Sequence, residues 1–189
     1  MHGDMKTMER LKNLSKDVDG VVCAGDVTSM ERNLPNVMKK FSEFHSHVLM
    51  IHGNHEEPQN LKEHCDMYTN ITFLHKGAFN VGDYLFLGYG GDGFSTNDPE
   101  FEEVAKKFFK PEIKDDKRII FVTHGPAHGT ELDKVAGSHK GSISYRKFID
   151  DVKPHLVISG HLHENEGKSE KIGRTMFINP GRQGAIIEI

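Results

Sequence analysis

The segment VLMIHGNHE (48–56) decides the fold, because it joins a short apolar run directly to glycine, amide and imidazole groups. An unbroken run such as VLMI (48–51) is typical of a strand whose two faces are both buried. The polar residues after it do not continue that strand, and Gly53 lets the backbone turn sharply without a Cβ penalty. The segment therefore predicts a buried strand that ends in polar side chains.

Three further segments have the same pattern, and they are VVCAGD (21–26), IIFVTHG (119–125) and LVISGHLH (156–163). In open α/β sheets the ligand crevice lies just beyond the carboxyl ends of the strands. A single Gly-His or Gly-Asp pair indicates no more than a turn, whereas four such strand ends in one chain favour a shared site. We therefore expect one edge to carry Asp26, Asn54, His55, His124, His161 and His163.

The chemistry of this edge indicates a metal site. Imidazoles, a carboxylate and an amide oxygen, with no thiolate, form a ligand set that suits Zn, Fe, Mn, Co or Ni better than a cysteine-type structural zinc site. The chain holds 13 histidines, which raises the expectation of metal binding because histidine is the commonest metal ligand. A histidine on the surface has no such role in most proteins, so the count supports the site only together with the strand ends.

Length and composition bound the class of protein. The 189 residues predict a single domain over 1–189, with 36% hydrophobic and 28% charged residues. No apolar stretch approaches the roughly 18 residues of a membrane span. A net charge of −4 disfavours capture of nucleic acid by bulk electrostatics. The two cysteines form no disulfide framework and the N-terminus has no signal pattern, which predicts a cytoplasmic protein.

Apolar periodicity outlines the other elements. It predicts helices over 4–16, around 34–44, over 56–66, from Asp98-Pro99 and from Ser142. ITFL (71–74), AFNV (78–81) and YLFLGY (84–89) predict a strand meander, and TMFI (175–178) with AIIEI (185–189) predicts a terminal hairpin. Helices that alternate with buried strands indicate a layered α/β domain with a mixed sheet or two stacked sheets.

The ordered motifs resemble the calcineurin-like metallophosphoesterases: GD (25–26), GNHE (53–56), His124 after a strand, and GHLH (160–163). The segments THGPAHGTELD (123–133), KGSISYRKFID (140–150) and KIGRTMFINPG (171–181) are similar to the small single-domain phosphodiesterase-type members of archaea and bacteria. The resemblance implies a four-layer α/β/β/α sandwich with a dinuclear metal centre between the sheets.

The resemblance also implies a role for each residue. Asp26 bridges two divalent cations of Mn, Fe, Ni, Co or Zn. His2 and His163 bind the first cation, and Asn54, His124 and His161 bind the second. His55 is the catalytic histidine, which acts as general acid while a metal-bridged hydroxide hydrolyses a P–O ester.

The first motif of the family departs from its pattern here. Asp-x-His-Gly is represented only by His2-Gly3, so the usual first strand and its aspartate are expected to be lacking from this chain. We favour a start assigned too late, or a shortened chain, over a natural loss, because losing a central strand exposes strand edges and costs several kcal/mol of apolar burial. The first cation site is then expected to be weak. We expect Asp4 to cap the first helix and not to replace the missing ligand.

Other polar residues carry weaker expectations. His128 and Arg182 are candidate substrate contacts, although a solvent-exposed loop position explains His128 equally well. For His52 we expect a structural role and not a ligand role. Six more histidines lie away from the edge, and we assign them no chemical role: His45, His47, His64, His75, His139 and His155.

The leading function is a metal-dependent phosphodiesterase that acts on a small, nucleotide-like phosphoester, with no membrane partner. Alternatives are a phosphomonoesterase or nucleotidase, and a non-catalytic protein-binding module on the same fold. A protein Ser/Thr phosphatase is disfavoured, because GDVTSME (25–31) lacks the arginine that those enzymes place after this aspartate.

Overall fold

The computed structural model describes residues 3–91, 93–114 and 116–189, and its strands form two larger sheets and one short ribbon. The strands are β1 (Gly20–Cys23), β2 (His47–Met50), β3 (Ile71–Phe73), β4 (Gly77–Val81), β5 (Tyr84–Tyr89), β6 (Arg118–Thr123), β7 (Lys134–Val135), β8 (Ser138–His139), β9 (Leu156–Ile158), β10 (Ser169–Ile172) and β11 (Thr175–Ile178). The first sheet is parallel and has the order β1-β2-β3. The second has the order β10-β11-β9-β6-β5-β4, with a parallel centre and an antiparallel hairpin at each edge.

The described residues form six α-helices. They are α1 (Met5–Leu14), α2 (Leu34–Ser42), α3 (Pro58–Asp66), α4 (Pro99–Val104), α5 (Lys110–Glu112) and α6 (Ile143–Val152), and a wider π-helical turn (Ala105–Phe109) joins α4 to α5. The carboxylate of Asp4 accepts the Lys6 backbone N–H at 3.1 Å, so the prediction that this residue caps α1 is confirmed. Asp98 and Ser142 cap α4 and α6 in the same way, through the N–H groups of Phe101 and Tyr145.

Three apolar cores separate four layers. Helices α1 to α3 pack on the first sheet through residues such as Met38, Phe41 and Val48, and α4 to α6 pack on the second through Phe101, Phe121 and others. The third core lies between the two sheets. Strand β6 shows why its sequence is apolar throughout: Ile119 and Phe121 face the helices while Ile120 and Val122 face the other sheet. This is the four-layer α/β/β/α sandwich that the family resemblance implied.

Two strand predictions were wrong. The expected meander is divided between the sheets, because β3 pairs in parallel with β2 while β4 and β5 form a hairpin in the second sheet. The expected terminal hairpin does not form: β11 pairs with the polar segment β10 through a two-residue turn at Gly173, and residues 185–189 have no strand pairing. Local turn chemistry favours the observed hairpin, since Gly173 has a φ of +60° and closes the tighter turn.

A large cavity of about 940 Å³ opens between the sheets beside β1. Its walls include Val22, Leu49, Phe86, Ile158 and Ile187, so the central core is incompletely packed there. Within the described residues β1 pairs only with β2, and no strand lies on its outer side. Among the helices of these same residues, none has the length and apolar character needed to cross a bilayer.

Candidate metal centre

The predicted functional edge forms where the parallel strands of both sheets end. Strand β1 leads to Asp26, β2 to Asn54 and His55, β6 to His124, and β9 to His161. The backbone N–H of Gly160 donates to the carbonyl of His124 at 2.8 Å, which holds the ends of β6 and β9 in register. Asp26 and His124 are 6% and 1% exposed, so these two groups belong to the protein interior and not to its solvated surface.

Three of the predicted ligands converge. One ligand atom each from Asp26, His124 and His161 lies within 4.8 Å of the other two. The amide of Asn54 joins them, with its Oδ1 at 3.1 Å from His124 Nε2 and at 3.2 Å from His161 Nδ1. His124 Nε2 also lies 3.5 Å from Asp26 Oδ1. The four side chains therefore enclose one small volume with ligand atoms on several sides.

The hydrogen bonding of His124 fits a cation in that volume. Its Nδ1 is 2.8 Å from the carbonyl oxygen of Ala24, which can only accept, so Nδ1 carries the proton. In the neutral ring Nε2 is then a lone pair, and it faces two further acceptors, Asn54 Oδ1 and Asp26 Oδ1. Acceptors repel one another unless a cation lies between them, so the donor set fits a divalent metal ion.

Backbone strain occurs at two of these residues, as it does at six other described non-glycine residues. Asp26 and His161 both have positive φ values, 51° and 65°, in the left-handed region that non-glycine residues rarely adopt. Gly53 packs against this strained segment, and a Cβ at this position would overlap Asp26 Oδ1. Strained conformations of this kind persist where surrounding contacts enforce them, and they cluster at functional sites.

Glu56 ties together the two loops that carry Asp26 and Asn54. Its buried carboxylate accepts the backbone N–H groups of Asp26 at 3.0 Å and Gly53 at 3.1 Å through one oxygen. The other oxygen accepts both the N–H and the hydroxyl of Thr28. Sequence reasoning quoted Glu56 only as part of GNHE and gave it no role, because nothing in its spacing separates it from Glu57.

His55 lies at this edge but in a different environment. Its backbone N–H donates to Asp26 Oδ1 at 3.3 Å, which fixes the loop against the ligand. Its Nδ1 accepts the backbone N–H of Met30 at 3.3 Å, so the ring proton resides on Nε2. The side chain is only partly buried, unlike that of His124.

The remaining predicted residues occupy the surroundings. His163 and Arg182 line the cavity that also reaches Asp26, and Arg182 pairs with Glu166 at 3.1 Å. His128 lies in the loop after β6 with its ring 5.4 Å from that of His139. His52 Nδ1 lies 2.9 Å from the Gly53 carbonyl, and burial lowers the pKa of this ring. His2 lies outside the described residues.

The loop after β6 has its own buried anchor, which sequence reasoning did not single out. Asp133 accepts N–H groups from Gly129, Thr130 and Gly141, and it lies 2.7 Å from His139 Nδ1. Burial alone would raise the pKa of this carboxyl, but the bonds from His139 and the backbone together lower it. The anchor holds the segment that follows His124 against the second sheet.

Comparison with known sequences places this arrangement in a family. The family model described as "Calcineurin-like phosphoesterase" matches residues 1–165. A UPF0046 protein of Caenorhabditis elegans is 26% identical over 196 residues, which cover 92% of this chain and 66% of that relative's length.

Solved structures with the same fold are similar at lower identity. The crystal structure of TT1561 of Thermus thermophilus gives a TM-score of 0.77 at 18% identity, covering 96% of this chain and 86% of that one. The Thermus thermophilus sulfate thiohydrolase SoxB, in complex with glycerol, gives a TM-score of 0.57 at 14% identity over 94% of this chain and 37% of its own. At such identities the likeness shows a shared fold.

Proposed function

The chain belongs to the calcineurin-like phosphoesterase family of metal-dependent phosphoester hydrolases, and from this premise we propose that it is a phosphodiesterase with a dinuclear metal centre. The proposal rests on acceptor atoms that face one another at the sheet edge. His124 Nε2 lies 3.1 Å from Asn54 Oδ1 and 3.5 Å from Asp26 Oδ1. With a neutral His124 ring, these acceptor atoms would repel one another unless a cation lay between them.

The proposed ligand sets are those that the family resemblance implies. Asp26, Asn54, His124 and His161 would hold one cation. Asp26, His163 and His2 would hold the other, and His2 lies outside the described residues. When bound, Mn, Fe, Ni, Co or Zn would neutralise charge on the phosphoryl oxygens and lower the pKa of an attacking water. The Glu56 carboxylate would keep the two ligand loops at a fixed separation.

His55 is the proposed general acid. The Met30 N–H occupies Nδ1, which places the ring proton on Nε2, the nitrogen that would donate to the ester's leaving oxygen. The hydrogen bond from the His55 backbone N–H to Asp26 would keep the ring beside the proposed ligands, although His55 is not itself a proposed ligand. A positioned donor of this kind contributes typically about 10²–10⁴-fold to rate.

We expect two substitutions to separate metal binding from proton transfer. Asp26→Asn removes the negative charge of the centre and should abolish both Mn²⁺ binding and hydrolysis of bis(p-nitrophenyl) phosphate. His55→Ala should keep Mn²⁺ binding, measured by calorimetry, and lower kcat by roughly 10²–10⁴-fold. His64→Ala, on the remote helix α3, is the matched control and should change neither quantity.

The alternatives predict different results in the same assay. Full activity of Asp26→Asn would refute the mechanism. Faster turnover of p-nitrophenyl phosphate than of the diester would identify a phosphomonoesterase or nucleotidase. Tight Mn²⁺ binding with no turnover of either ester would favour the non-catalytic binding module.

The proposal extends to substrate and compartment. A small, nucleotide-like phosphoester is the proposed partner, and the cytoplasm is the proposed location. The two thiols are free and buried, and burial raises their pKa values, to about 11 for Cys23 and about 12 for Cys65. Such thiols are unreactive and need no oxidising compartment, which supports the proposed location.

A further inference from the structure

A large aromatic side chain lies exposed beside the metal edge. Phe94, in the loop between β5 and α4, is 68% exposed. Its ring centroid lies 4.5 Å from that of His161, and the two rings meet edge to face at 85°. His161 is one of the converging ligands, so the phenyl ring stands at the rim of the site.

Close packing of the preceding residue fixes this loop. Gly93 has a φ of +76°, and a Cβ there would lie 2.7 Å from the His161 ring. The backbone of Gly93 also packs against Gly125, just after the ligand His124. The loop therefore crosses the site in direct contact with two ligand-bearing segments, and this contact determines where Phe94 emerges.

Exposure alone does not distinguish Phe94, because single exposed apolar residues are normal on protein surfaces. Phe108, for example, is 58% exposed on the outer helical layer. Phe94 is distinguished by its location beside the metal edge, and a second residue with an exposed apolar side chain contacts the same edge. Met30 is 68% exposed and its backbone N–H donates to His55. The Phe94 ring thus contacts His161, and the backbone of Met30 contacts His55, the two residues between which the scissile group would lie.

We propose that Phe94 is a substrate-binding platform that selects phosphoesters carrying a planar ring, such as a nucleobase or an aryl group. The inference rests on the proposed function, since it places the phosphoryl group at the metal edge. With most of its surface exposed, Phe94 is accessible to a planar substituent of a substrate bound there. Aromatic stacking is tolerant of ring identity, so the platform would favour planar groups as a class.

Binding of two ligands that differ only in the ring tests this inference. Adenosine monophosphate and the corresponding ribose monophosphate share phosphate and sugar, and their affinities for the Mn²⁺-loaded protein are measured by calorimetry. The wild type should bind the adenosine compound about 10-fold more tightly, the range expected for one stacked base. In Phe94→Ala the affinity for adenosine monophosphate should fall to that for ribose monophosphate, which itself should not change. Phe94→Tyr should keep the preference for the adenosine compound. Phe108→Ala is the matched control and should behave as the wild type.

Turnover provides a separate readout. Phenyl p-nitrophenyl phosphate and methyl p-nitrophenyl phosphate have the same leaving group, so Phe94→Ala should raise KM for the phenyl ester alone, with kcat unchanged. An unaltered ligand preference in Phe94→Ala would overturn the inference. So would equal weakening of both ligands and of Mn²⁺ binding, because that result would mean that Phe94 only supports His161. Absence of turnover with an intact ring preference would instead refute the proposed function and leave the platform standing.

Discussion

At the scale of single residues, Glu56 shows how the centre is held in place. A buried carboxylate costs free energy unless its oxygens are well paired, and Glu56 is paired with four donors from two loops. These loops carry Asp26 and Asn54, whose separation sets the dimensions of the metal site. We therefore propose that Glu56 is a positioning residue that would act on a bound metal through the backbone of the two loops.

Glu56→Gln should weaken both folding and metal binding. The substitution replaces one carboxylate oxygen with an NH₂ group. In either orientation of the amide, this NH₂ group faces hydrogen-bond donors and cannot accept from them. Buried donors left unpaired cost about 1–3 kcal/mol each, so we expect the free energy of unfolding to fall by roughly 2–4 kcal/mol. Mn²⁺ affinity should fall about 10–100-fold, as for other groups that orient ligands. Thermal unfolding and calorimetry measure the two effects.

The neighbouring glutamate provides the control. Glu57 is exposed and caps α3 by accepting the Asn60 N–H at 2.7 Å. Glu57→Gln should leave Mn²⁺ affinity unchanged. Wild-type Mn²⁺ affinity in Glu56→Gln, together with reduced stability, would show that the carboxylate supports the fold without positioning the ligands.

The converging ligands were predictable from sequence for a physical reason. Parallel strands end at one edge, so residues directly after four buried runs must approach one another, as Asp26, Asn54, His124 and His161 do. Glu56 was not predictable as a brace, because its role depends on which backbone N–H groups the folded loops present. Phe94 lies in a loop whose path is set by packing of Gly93 against His161, which no periodicity encodes.

At the scale of elements, His75 connects the two sheets. It follows β3 of the first sheet, and its Nδ1 accepts the N–H of Gly90, just after β5 of the second sheet, at 2.9 Å. Its ring also meets that of His52 at 4.5 Å. Burial, with smaller contributions from the charges of His52 and Lys76, lowers the pKa of His75 to about 3. The folded protein therefore holds this imidazole in its neutral form.

The metal-free protein should lose stability in acid through this group. In the unfolded chain a histidine has its ordinary pKa of 6.5, so below that pH the unfolded state binds a proton that the folded state does not. The stabilisation is complete above pH 6.5 and decreases toward pH 3. At pH 4.5 the loss from this group is roughly 2–3 kcal/mol. Urea unfolding at pH 7 and pH 4.5 measures it.

His75→Asn isolates the contribution, because the asparagine Oδ1 can replace Nδ1 as acceptor for Gly90 but does not titrate. The difference in unfolding free energy between the two pH values should shrink by that amount in the variant. An equal pH dependence in both proteins would show that protonation of His75 is not what destabilises the fold.

The element predictions failed where pairing partners were decided at long range. The segments ITFL and AFNV are consecutive and similarly apolar, yet they belong to different sheets, because the His75 bridge to Gly88 takes the chain from one sheet to the other. The sequence AIIEI (185–189) has high strand propensity, yet it pairs with no strand of the described residues. Propensity indicates what a segment can form, while the available edges decide whether it forms.

At the scale of the whole molecule, the cavity between the sheets is the main departure from close packing. Protein interiors leave few voids larger than a water molecule, whereas this one measures about 940 Å³. It is bounded by apolar side chains of both sheets and by the outer side of β1. Gly3 donates to the Val27 carbonyl at 2.7 Å, so the chain enters α1 beside the carboxyl end of β1. A segment placed ahead of Met1 could then run along β1 into the cavity.

We therefore expect an added strand to stabilise both the fold and the metal site. An engineered extension of four apolar β-branched residues followed by Asp, fused ahead of Met1, would pair with β1 and fill the apolar volume. Its final Asp would precede Met1-His2-Gly3 in the sequence and so complete the Asp-x-His-Gly pattern. Burial of four such side chains and the ladder hydrogen bonds to β1 together outweigh the entropy of ordering the extension by a few kcal/mol, which predicts a rise in Tm of roughly 5–10 °C. The Mn²⁺ stoichiometry should increase toward two per chain.

A Gly/Ser extension of equal length with the same terminal Asp separates the two contributions. It supplies the carboxylate without apolar burial, and a flexible segment loses its full conformational entropy on being ordered in the cavity. We expect neither the rise in Tm nor the second Mn²⁺ from this control, measured by thermal unfolding and metal analysis. If both extensions raise Tm equally, the volume beside β1 is not specific for a strand. If the apolar extension raises Tm but leaves Mn²⁺ stoichiometry unchanged, the strand completes the core while the site next to His163 needs a different ligand.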